Sequence, residues 1–254
     1  MKTETALLIF DPHQDAEWIQ RILAKERSSF SHLVLGGDYF DAKSERAGTL
    51  VEMCDLLLNL RQEFGERLTL LWGNHDIQYL EALPAMRQRR NPRNLCYKIP
   101  GDYTNSQAKK IAKRLPEGFI KSGKLFAEIN GHLISHAGLA PAFWPEAPDT
   151  ETALHLLEEQ CNAALLNLAH REFKLLQAGA SRGGTQLIGG MTWLDFDQEF
   201  EDALPLPQIF GHTPSLSDSL KARARQKGRS WCLDGAQTIY GLLNAAGELT
   251  IRSA

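Results

Sequence analysis

The N-terminal third of the chain alternates apolar runs with amphipathic stretches. Residues 5–10, 32–36 and 67–72 are strand-like, whereas residues 15–26 and 45–64 carry apolar side chains at helical spacing. This β-α-β-α-β order calls for neighbouring parallel strands joined by right-handed crossovers. The sequence therefore predicts an α/β fold.

Each apolar run stops abruptly at acids, imidazoles or an amide: Asp11 and His13, then Asp38 and Asp41, then Asn74, His75 and Asp76. Two later runs end in the same way, at His136 and His212. Ligands of open α/β sheets bind beyond the carboxyl ends of the strands, so we expect these side chains to share one site. Oxygen and nitrogen donors without a thiolate suit Mn²⁺, Fe or Zn²⁺ better than an Fe–S centre or Cu(I).

Taken singly, each stretch has an ordinary structural explanation. Asp11-Pro12-His13 favours a turn, Asp38 and Asp41 could cap a helix, and a lone His136 could be a buried structural histidine. All of these explanations would have to hold at five strand ends, so the shared site is the stronger hypothesis. Four other histidines lie outside the pattern, and we expect structural or surface roles for them: His32, His132, His155 and His170.

The five stretches resemble the motifs of the calcineurin-like metallophosphoesterases, which are D-x-H, G-D-x-x-D, G-N-H-D/E, H and G-H. In the same order this chain has Asp11-Pro12-His13, Gly37-Asp38-Tyr39-Phe40-Asp41, Gly73-Asn74-His75-Asp76, His136 and Gly211-His212. Residues 135–141 are similar to a motif of the branch that holds the PPP-type phosphoprotein phosphatases and the symmetrical diadenosine-tetraphosphate hydrolases. The resemblance implies an αββα sandwich of two mixed β-sheets flanked by helices.

The resemblance also implies two divalent ions, Mn²⁺ first, with Fe, Zn²⁺, Ni²⁺ or Co²⁺ as alternatives. The implied ligands are Asp11, His13 and Asp38 for one ion, and Asp38, Asn74, His136 and His212 for the other. A hydroxide that bridges the two ions would attack the phosphorus. His75 would protonate the leaving group, and Asp41 would hold the imidazole in its charged form.

Substrate contacts are expected from Asn74 and from Arg182, which lies in the glycine-rich stretch 180–184. The leading function is a dinuclear metal-dependent phosphoric ester hydrolase acting on a phosphorylated small molecule or a nucleotide polyphosphate. Protein phosphatases have arginines where this chain has Ala42-Lys43 and Trp72, so a Ser/Thr phosphoprotein phosphatase is the alternative. A second alternative is a non-catalytic relic that binds anions, although the intact ligand set disfavours it.

We expect a single domain over residues 1–254 with an inserted basic segment at about 84–122, where prolines interrupt the pattern. A hairpin is predicted at 124–135, a long helix at 150–177, and strands at 208–210, 230–233, 238–243 and 248–252. Nine basic residues at 87–114 and five at 219–229 either steer an anionic substrate or form solvated surface.

Targeting signals are not apparent in the sequence. No apolar run approaches the roughly 18 residues of a membrane span, and the N-terminal run is too short for a secretory signal. The four cysteines are widely spaced, which favours free thiols in a reducing compartment. We therefore expect a cytoplasmic protein without membrane or nucleic-acid partners.

Overall fold

The computed structural model describes residues 5–43, 47–90, 92, 103–168, 173–215 and 223–254. Within these ranges the strands are β1 (Ala6–Ile9), β2 (His32–Leu35), β3 (Leu68–Leu70), β4 (Phe126–Ile129), β5 (His132–Ser135), β6 (Gln208–Phe210), β7 (Arg225–Lys227), β8 (Ser230–Cys232), β9 (Ile239–Leu243) and β10 (Leu249–Ser253). The helices are α1 (Ala16–Glu26), α2 (Leu50–Phe64), α3 (Asn74–Arg87), α4 (Asn105–Arg114), α5 (Glu117–Lys121) and α6 (Thr150–Leu166). Short 3₁₀ turns lie at Gly65–Arg67, Pro141–Phe143, Lys174–Leu176 and Ala180–Arg182.

The strands form two five-stranded mixed sheets, in the orders β10-β9-β1-β2-β3 and β4-β5-β6-β8-β7. Strands β1, β2 and β3 are parallel, and β9 and β10 complete that sheet in antiparallel pairing. In the second sheet β5, β6 and β8 are parallel, with β4 and β7 antiparallel at the edges. The predicted α/β architecture of two mixed sheets flanked by helices is confirmed.

Strand β1 is apolar throughout because both of its faces are buried. Leu7 and Ile9 pack with the core that includes the buried faces of α1 and α2. Leu8 points the other way and joins a second core with Ile134 and Ile209 of the opposite sheet. The two sheets therefore face each other, and the first one carries α1 and α2 on its outer side.

Helix starts follow capping side chains more closely than the apolar pattern. Helix α1 begins after Asp15, whose carboxylate accepts a hydrogen bond from the Trp18 backbone N–H at 2.8 Å. Helix α2 begins at Leu50, five residues later than expected, because Thr49 and Glu52 form a capping box there. The first predicted turn of α2 includes residues 45 and 46, which lie outside the described residues.

The expectation that the proline at position 84 breaks the helical pattern is wrong. Helix α3 begins at Asn74 and runs through Pro84 to Arg87. Pro84 lies on the exposed side of the helix, and it lacks only the N–H that would donate to the carbonyl of Leu80. The segment that we expect to be inserted contains α4 and α5, and Arg87 Nη2 of α3 donates to the carbonyl of Leu115, which follows α4, at 3.0 Å.

The predicted hairpin is confirmed, with Asn130 and Gly131 both at positive φ (50° and 77°), as a two-residue type I′ turn requires. The long helix is shorter than predicted: α6 ends at Leu166, and residues 169–172 lie outside the described part of the chain. Strand β7 was not predicted, because a polar edge strand has no apolar alternation. No helix among the described residues is both long and apolar enough to cross a membrane.

Candidate metal centre

The sheets bring the predicted ligands to one rim. The segments after β1, β2 and β3 carry the first four, and the loops after β5 and β6 carry His136 and His212. Backbone hydrogen bonds join these loops directly: His13 N–H donates to the carbonyl of Asp38 at 2.9 Å, and Gly211 N–H donates to the carbonyl of His136 at 2.8 Å. Parallel strand order therefore converts five distant sequence stretches into one cluster.

Two groups of ligand atoms lie within the cluster, and Asp38 belongs to both. Ligand atoms of Asp11, His13 and Asp38 lie within 4.8 Å of one another, and so do those of Asp38, His136 and His212. Both groups consist of buried residues, apart from the partly exposed His13. Asp38 Oδ2 lies 3.8 Å from His13 Nε2 and 3.5 Å from His136 Nε2, so the same carboxylate oxygen faces both groups.

Asn74 completes the second group. Its Oδ1 lies 2.9 Å from His136 Nε2, which is itself 3.2 Å from His212 Nδ1 and 3.5 Å from Asp38 Oδ2. The structure thus brings together all six residues that the resemblance assigns as ligands. Asn74 is the first residue of α3, so the helix start fixes its position.

The imidazoles are oriented by backbone carbonyls behind them. His136 Nδ1 lies 2.9 Å from the carbonyl oxygen of Gly36, and His13 Nδ1 lies 3.0 Å from that of Asp41. When each Nδ1 carries the proton, it donates to that carbonyl, and Nε2 presents a lone pair to the cluster. This arrangement is typical of metal-binding histidines.

The backbone of the cluster is held in the left-handed region, which non-glycine residues seldom adopt. The φ angles of Asp11, His13, Asp38 and His212 are 52°, 43°, 62° and 69°. Such strain persists where surrounding contacts over-determine it, and it concentrates at functional sites. Here His212 N–H donates to Asp11 Oδ2 and His75 N–H donates to Asp38 Oδ1, each at 2.9 Å.

Asp76 holds the backbone of the loops after β2 and β3 in place, a role that the sequence pattern did not reveal. Its carboxylate is fully buried and accepts hydrogen bonds from the backbone N–H groups of Asp38, Tyr39 and Gly73, at 2.7, 2.8 and 2.9 Å. These bonds tie the loop after β2 to the loop after β3. The capping position of an acid three residues after Gly73 was the available signal.

The carboxylates of the cluster repel one another in a buried setting. Burial raises the pKa of Asp11 well above its usual range, and the charges of Asp234 and Asp38 raise it further. Burial also raises the pKa of Asp234 to about 6. Burial alone would raise the pKa of Asp38, but the neighbouring imidazoles, His136 first, hold it below its usual value.

Burial keeps the imidazoles of the cluster neutral. It lowers the pKa of His13 to about 4, and it lowers the pKa of His136 and, more strongly, that of His212. Neutral imidazole is the form that binds metal ions. Protonation of these imidazoles would relieve the Asp38 carboxylate, but burial opposes that protonation.

The residues fit a pair of bound cations. Asp11 Oδ1 is buried, and among the described residues it has no hydrogen-bond partner. Glycines frame the same space: a Cβ on Gly73 would collide with Asp38 Oδ1, and a Cβ on Gly211 would collide with Asp11 Oδ2. The unpaired oxygen, the shared Asp38 and the donor set all suit divalent ions with oxygen and nitrogen ligands.

His75 stands beside the first group and is paired with Asp41. Its Nδ1 lies 2.6 Å from Asp41 Oδ2, and its ring meets that of His13 edge-on at a centroid distance of 5.4 Å. Burial alone would lower the pKa of His75, but the charge of Asp38 and the hydrogen bond to Asp41 raise it above the ordinary value. His75 is therefore the imidazole of this site that favours the protonated form.

Arg182 lies beside the second group. It ends the 3₁₀ turn Ala180–Arg182, its Nε lies 2.8 Å from Asp195 Oδ2, and its Nη2 donates to Thr213 Oγ1 at 2.8 Å. Thr213 directly follows His212, so the guanidinium is held next to the ligand loop. Asp195 and Thr213 are positioning residues that sequence reasoning missed, and no motif identified them.

The second basic segment is mostly engaged within the protein. Arg225 pairs with Asp197 at 2.6 Å, and Lys227 Nζ donates to the carbonyl of Phe196 at 2.6 Å. Arg229 Nη2 donates to the carbonyl of Leu204, also at 2.6 Å. These contacts favour a structural role over a steering surface. Arg93, Lys98 and Lys221 of the basic segments lie outside the described residues.

The histidines outside the pattern have local partners where they are described. His32 Nε2 lies 2.8 Å from Thr69 Oγ1, His132 Nδ1 lies 3.2 Å from the carbonyl oxygen of Asn130, and His155 lies 3.5 Å from Glu159. His170 lies outside the described residues. None of the described three belongs to the two ligand groups, in agreement with the prediction.

The fold matches solved phosphatase structures at low sequence identity. Two structures of a cold-active protein tyrosine phosphatase, one from a psychrophilic Shewanella species, each align with a TM-score of 0.60 and 16% identity. The alignments cover 98% of this chain and 78% and 80% of those chains. A candidate diadenosine tetraphosphatase aligns with a TM-score of 0.52 and 15% identity over 100% of this chain and 95% of that chain.

No family model matches the sequence, and no curated protein matches it. The structural likeness nevertheless confirms, for the fold, the resemblance that the motifs indicate. The chain shares the two-sheet α/β fold of these phosphatase structures. At these identities the likeness defines the fold, so the activity has to be argued from the site.

Proposed function

We propose that this protein is a dinuclear metal-dependent phosphoesterase. The single observation that carries the proposal is the pair of residue groups that share Asp38, with the His75–Asp41 pair beside them. Two cations held this close are typical of enzymes that displace a group from phosphorus. The phosphatase fold of the structural neighbours supports the same class of reaction.

The six ligand residues divide between two ions as the motifs imply: Asp11, His13 and Asp38 for one, and Asp38, Asn74, His136 and His212 for the other. When bound, such ions polarise phosphoryl oxygens and lower the pKa of water, so that hydrolysis proceeds near neutral pH. We propose Mn²⁺ as the native metal, with Fe, Zn²⁺, Ni²⁺ and Co²⁺ as the competing choices.

His75 acts as the general acid. Its Nδ1 faces Asp41, so we assign the proton that passes to a leaving-group oxygen to its Nε2. The buried Asp41 carboxylate keeps the ring charged and fixes its direction. At the second ligand group, the Asn74 amide and the Arg182 guanidinium orient the phosphoryl group of the substrate, because both present N–H donors there.

The substrate proposed first is a phosphorylated small molecule or a nucleotide polyphosphate. Trp72 stands where the protein phosphatases have an arginine, and it is buried against Tyr39 and Phe40, so it offers no cation to a phosphopeptide. A phosphoprotein phosphatase remains the alternative, since a neighbouring structure is that of a protein tyrosine phosphatase. The relic hypothesis is weaker because every ligand and the His75–Asp41 pair are present.

The proposal is tested by hydrolysis of p-nitrophenyl phosphate with added Mn²⁺, with and without a chelator, followed by a panel of dinucleotide polyphosphates and phosphopeptides. We expect metal-dependent turnover and a preference for the nucleotide substrates. Binding of anions without turnover on any of these substrates would favour the relic. A cytoplasmic location, which the widely spaced cysteines favour, is a separate proposal that cell fractionation tests.

Two variants separate metal binding from proton donation. His75→Asn should lower turnover by about 10²–10⁴-fold on a poor leaving group while the bound metal stays constant. Asp38→Asn should lose metal as well as activity. His155→Asn is the matched control, because His155 is exposed on α6 and pairs only with Glu159 among the described residues. Full turnover in His75→Asn on a poor leaving group would refute its assignment as the acid.

A further inference from the structure

Helix α3 places three hydrogen-bond donors around the carboxylate of Asp41. His75 Nδ1 lies 2.6 Å from Oδ2, Gln78 Nε2 donates to Oδ2 at 3.0 Å, and the Tyr79 hydroxyl donates to Oδ1 at 2.6 Å. The three residues occupy positions i, i+3 and i+4, so they share one face of the helix. Because Asp41 is fully buried, protein groups fix both of its oxygens.

The inserted segment lies directly behind Tyr79. Gln107 Oε1 of α4 is 2.9 Å from the Tyr79 hydroxyl, and the ring of Phe40 packs edge-on against the Tyr79 ring at 5.9 Å. A phenol has one proton, and the carboxylate is both the closer and the charged acceptor, so the proton goes to Asp41. The Gln107 amide then faces the phenol oxygen with its N–H group, which a half-turn of the amide brings to the position of Oε1, and donates to that oxygen. Gln107 and Phe40 therefore hold the hydroxyl over Asp41.

We propose that Gln78 and Tyr79 are positioning residues for the proton donor His75, and that Gln107 of the inserted segment keeps Tyr79 in place. The inference rests on the proposed function, because it assumes that His75 protonates the leaving group. An acid must lie within hydrogen-bond reach of the atom it protonates. Loss of one donor to Asp41 releases that carboxylate to rotate, and the imidazole moves with it.

A series of leaving groups tests the inference in Tyr79→Phe. A 2,4-dinitrophenolate leaves without a proton, whereas phenolate and alkoxides need one. We expect kcat to fall by about 10–100-fold on phenyl phosphate, which is the loss that a misplacement of about 1 Å produces. On 2,4-dinitrophenyl phosphate we expect nearly unchanged turnover, and the bound metal should match that of the unmodified protein.

Tyr103→Phe is the matched control. It removes a hydroxyl from a ring 5.2 Å from that of Tyr79, but this hydroxyl donates to Asn105 at 2.9 Å and takes no part in the contacts to Asp41. Its turnover on both substrates should remain at the original level. Gln107→Ala should cause the same selective loss of turnover on phenyl phosphate, but a smaller one. Because Gln107 is less buried than Tyr79, this variant also provides the test if Tyr79→Phe folds poorly.

The outcomes separate this inference from the proposed function. If the unmodified protein lacks metal-dependent turnover, the proposed function fails. If it is active and both Tyr79→Phe and Gln107→Ala lose activity equally on all leaving groups, or lose none, only the positioning role is overturned. In a His75→Asn background, Tyr79→Phe should cause no further loss on phenyl phosphate, since the two residues act as one unit; an additive loss would contradict the inference.

Discussion

At the scale of single residues, Asp76 shows how much of the site depends on a residue that belongs to neither ligand group. Its two oxygens accept three backbone N–H bonds from the loops that carry Asp38 and Asn74. The pattern of ligands in the sequence is complete without it. The structure adds that the direction of Asp38, the shared ligand, is set from behind by this carboxylate.

Asp76→Asn should therefore weaken metal binding without removing a ligand. The new amide places an NH₂ group against backbone N–H groups, which leaves at least one buried donor unpaired. We expect Mn²⁺ affinity to fall by about 10–100-fold, as for other residues that orient metal ligands. Titration calorimetry measures this affinity. An unchanged affinity would mean that the loops keep their geometry without the Asp76 carboxylate.

The residues behind the site were the least predictable part of it. Asp11, Asp38 and the histidines follow apolar runs, so their positions could be read from the sequence. Tyr79 reaches Asp41 only because α3 begins at Asn74, a start that the acid three residues after Gly73 indicates but no apolar pattern does. Arg182 could be proposed from its glycine-rich loop, but its partners Asp195 and Thr213 come together only in the folded chain.

At the scale of elements, strands were predicted better than helix ends. An apolar run that is buried on two faces, such as β1, can be recognised as a strand from the sequence alone. The Asn130-Gly131 turn fixes the register of the β4–β5 hairpin. The first and last residues of a helix depend on capping side chains and on exposed positions, where the sequence shows no apolar periodicity. Pro84 marks a break in the sequence, yet it lies on an exposed turn of α3, where the helix tolerates it.

Pro84→Ala should stabilise the protein. Proline inside a helix is about 3 kcal/mol less favourable than alanine, and part of that difference is offset because proline restricts the unfolded chain. We expect a net gain of about 1–2 kcal/mol in the free energy of unfolding, measured by urea denaturation. Pro116→Ala serves as a comparison, because Pro116 caps α5 and interrupts no helix. A loss of stability in Pro84→Ala would show that α3 needs the proline for its path.

Glu26 links helix α1 to strands β9 and β10. Its carboxylate is buried, accepts a hydrogen bond from the Tyr240 hydroxyl at 2.5 Å, and pairs with Arg252 Nη1 at 2.8 Å. Burial alone would raise the pKa of Glu26, but these two partners hold it below its ordinary value of 4.5. The folded state therefore binds the Glu26 proton more weakly than the unfolded state does.

The lowered pKa of Glu26 predicts a pH dependence of stability. The contribution of Glu26 to the free energy of unfolding is present above pH 4.5, and it is lost as the pH falls through the lower pKa that Glu26 has in the folded state. Glu26→Gln should cost about 1–3 kcal/mol at neutral pH, and its stability should fall less steeply with acid than that of the unmodified protein. Urea denaturation at neutral pH and in acid measures both. An equal loss of unfolding free energy in acid for the two proteins would contradict this account.

At the scale of the whole molecule, the two sheets turn five short motifs into one centre. The topology delivers the ligands, because the parallel strands of both sheets end at the same rim. Proteins that are only 15–16% identical share this fold. The clustering of basic residues was a poorer guide to substrate binding. Arg225, Lys227 and Arg229 form hydrogen bonds and ion pairs with acceptors of the same chain.

The most direct test is anomalous X-ray diffraction from crystals of the protein soaked in Mn²⁺. We predict two anomalous peaks a few ångströms apart, one among Asp11, His13 and Asp38 and the other among Asp38, Asn74, His136 and His212. Crystals of Asp38→Asn soaked in the same way should lose both peaks or keep one weakened peak. Manganese bound elsewhere, or a single ion that Asp38 does not contact, would contradict the central claim.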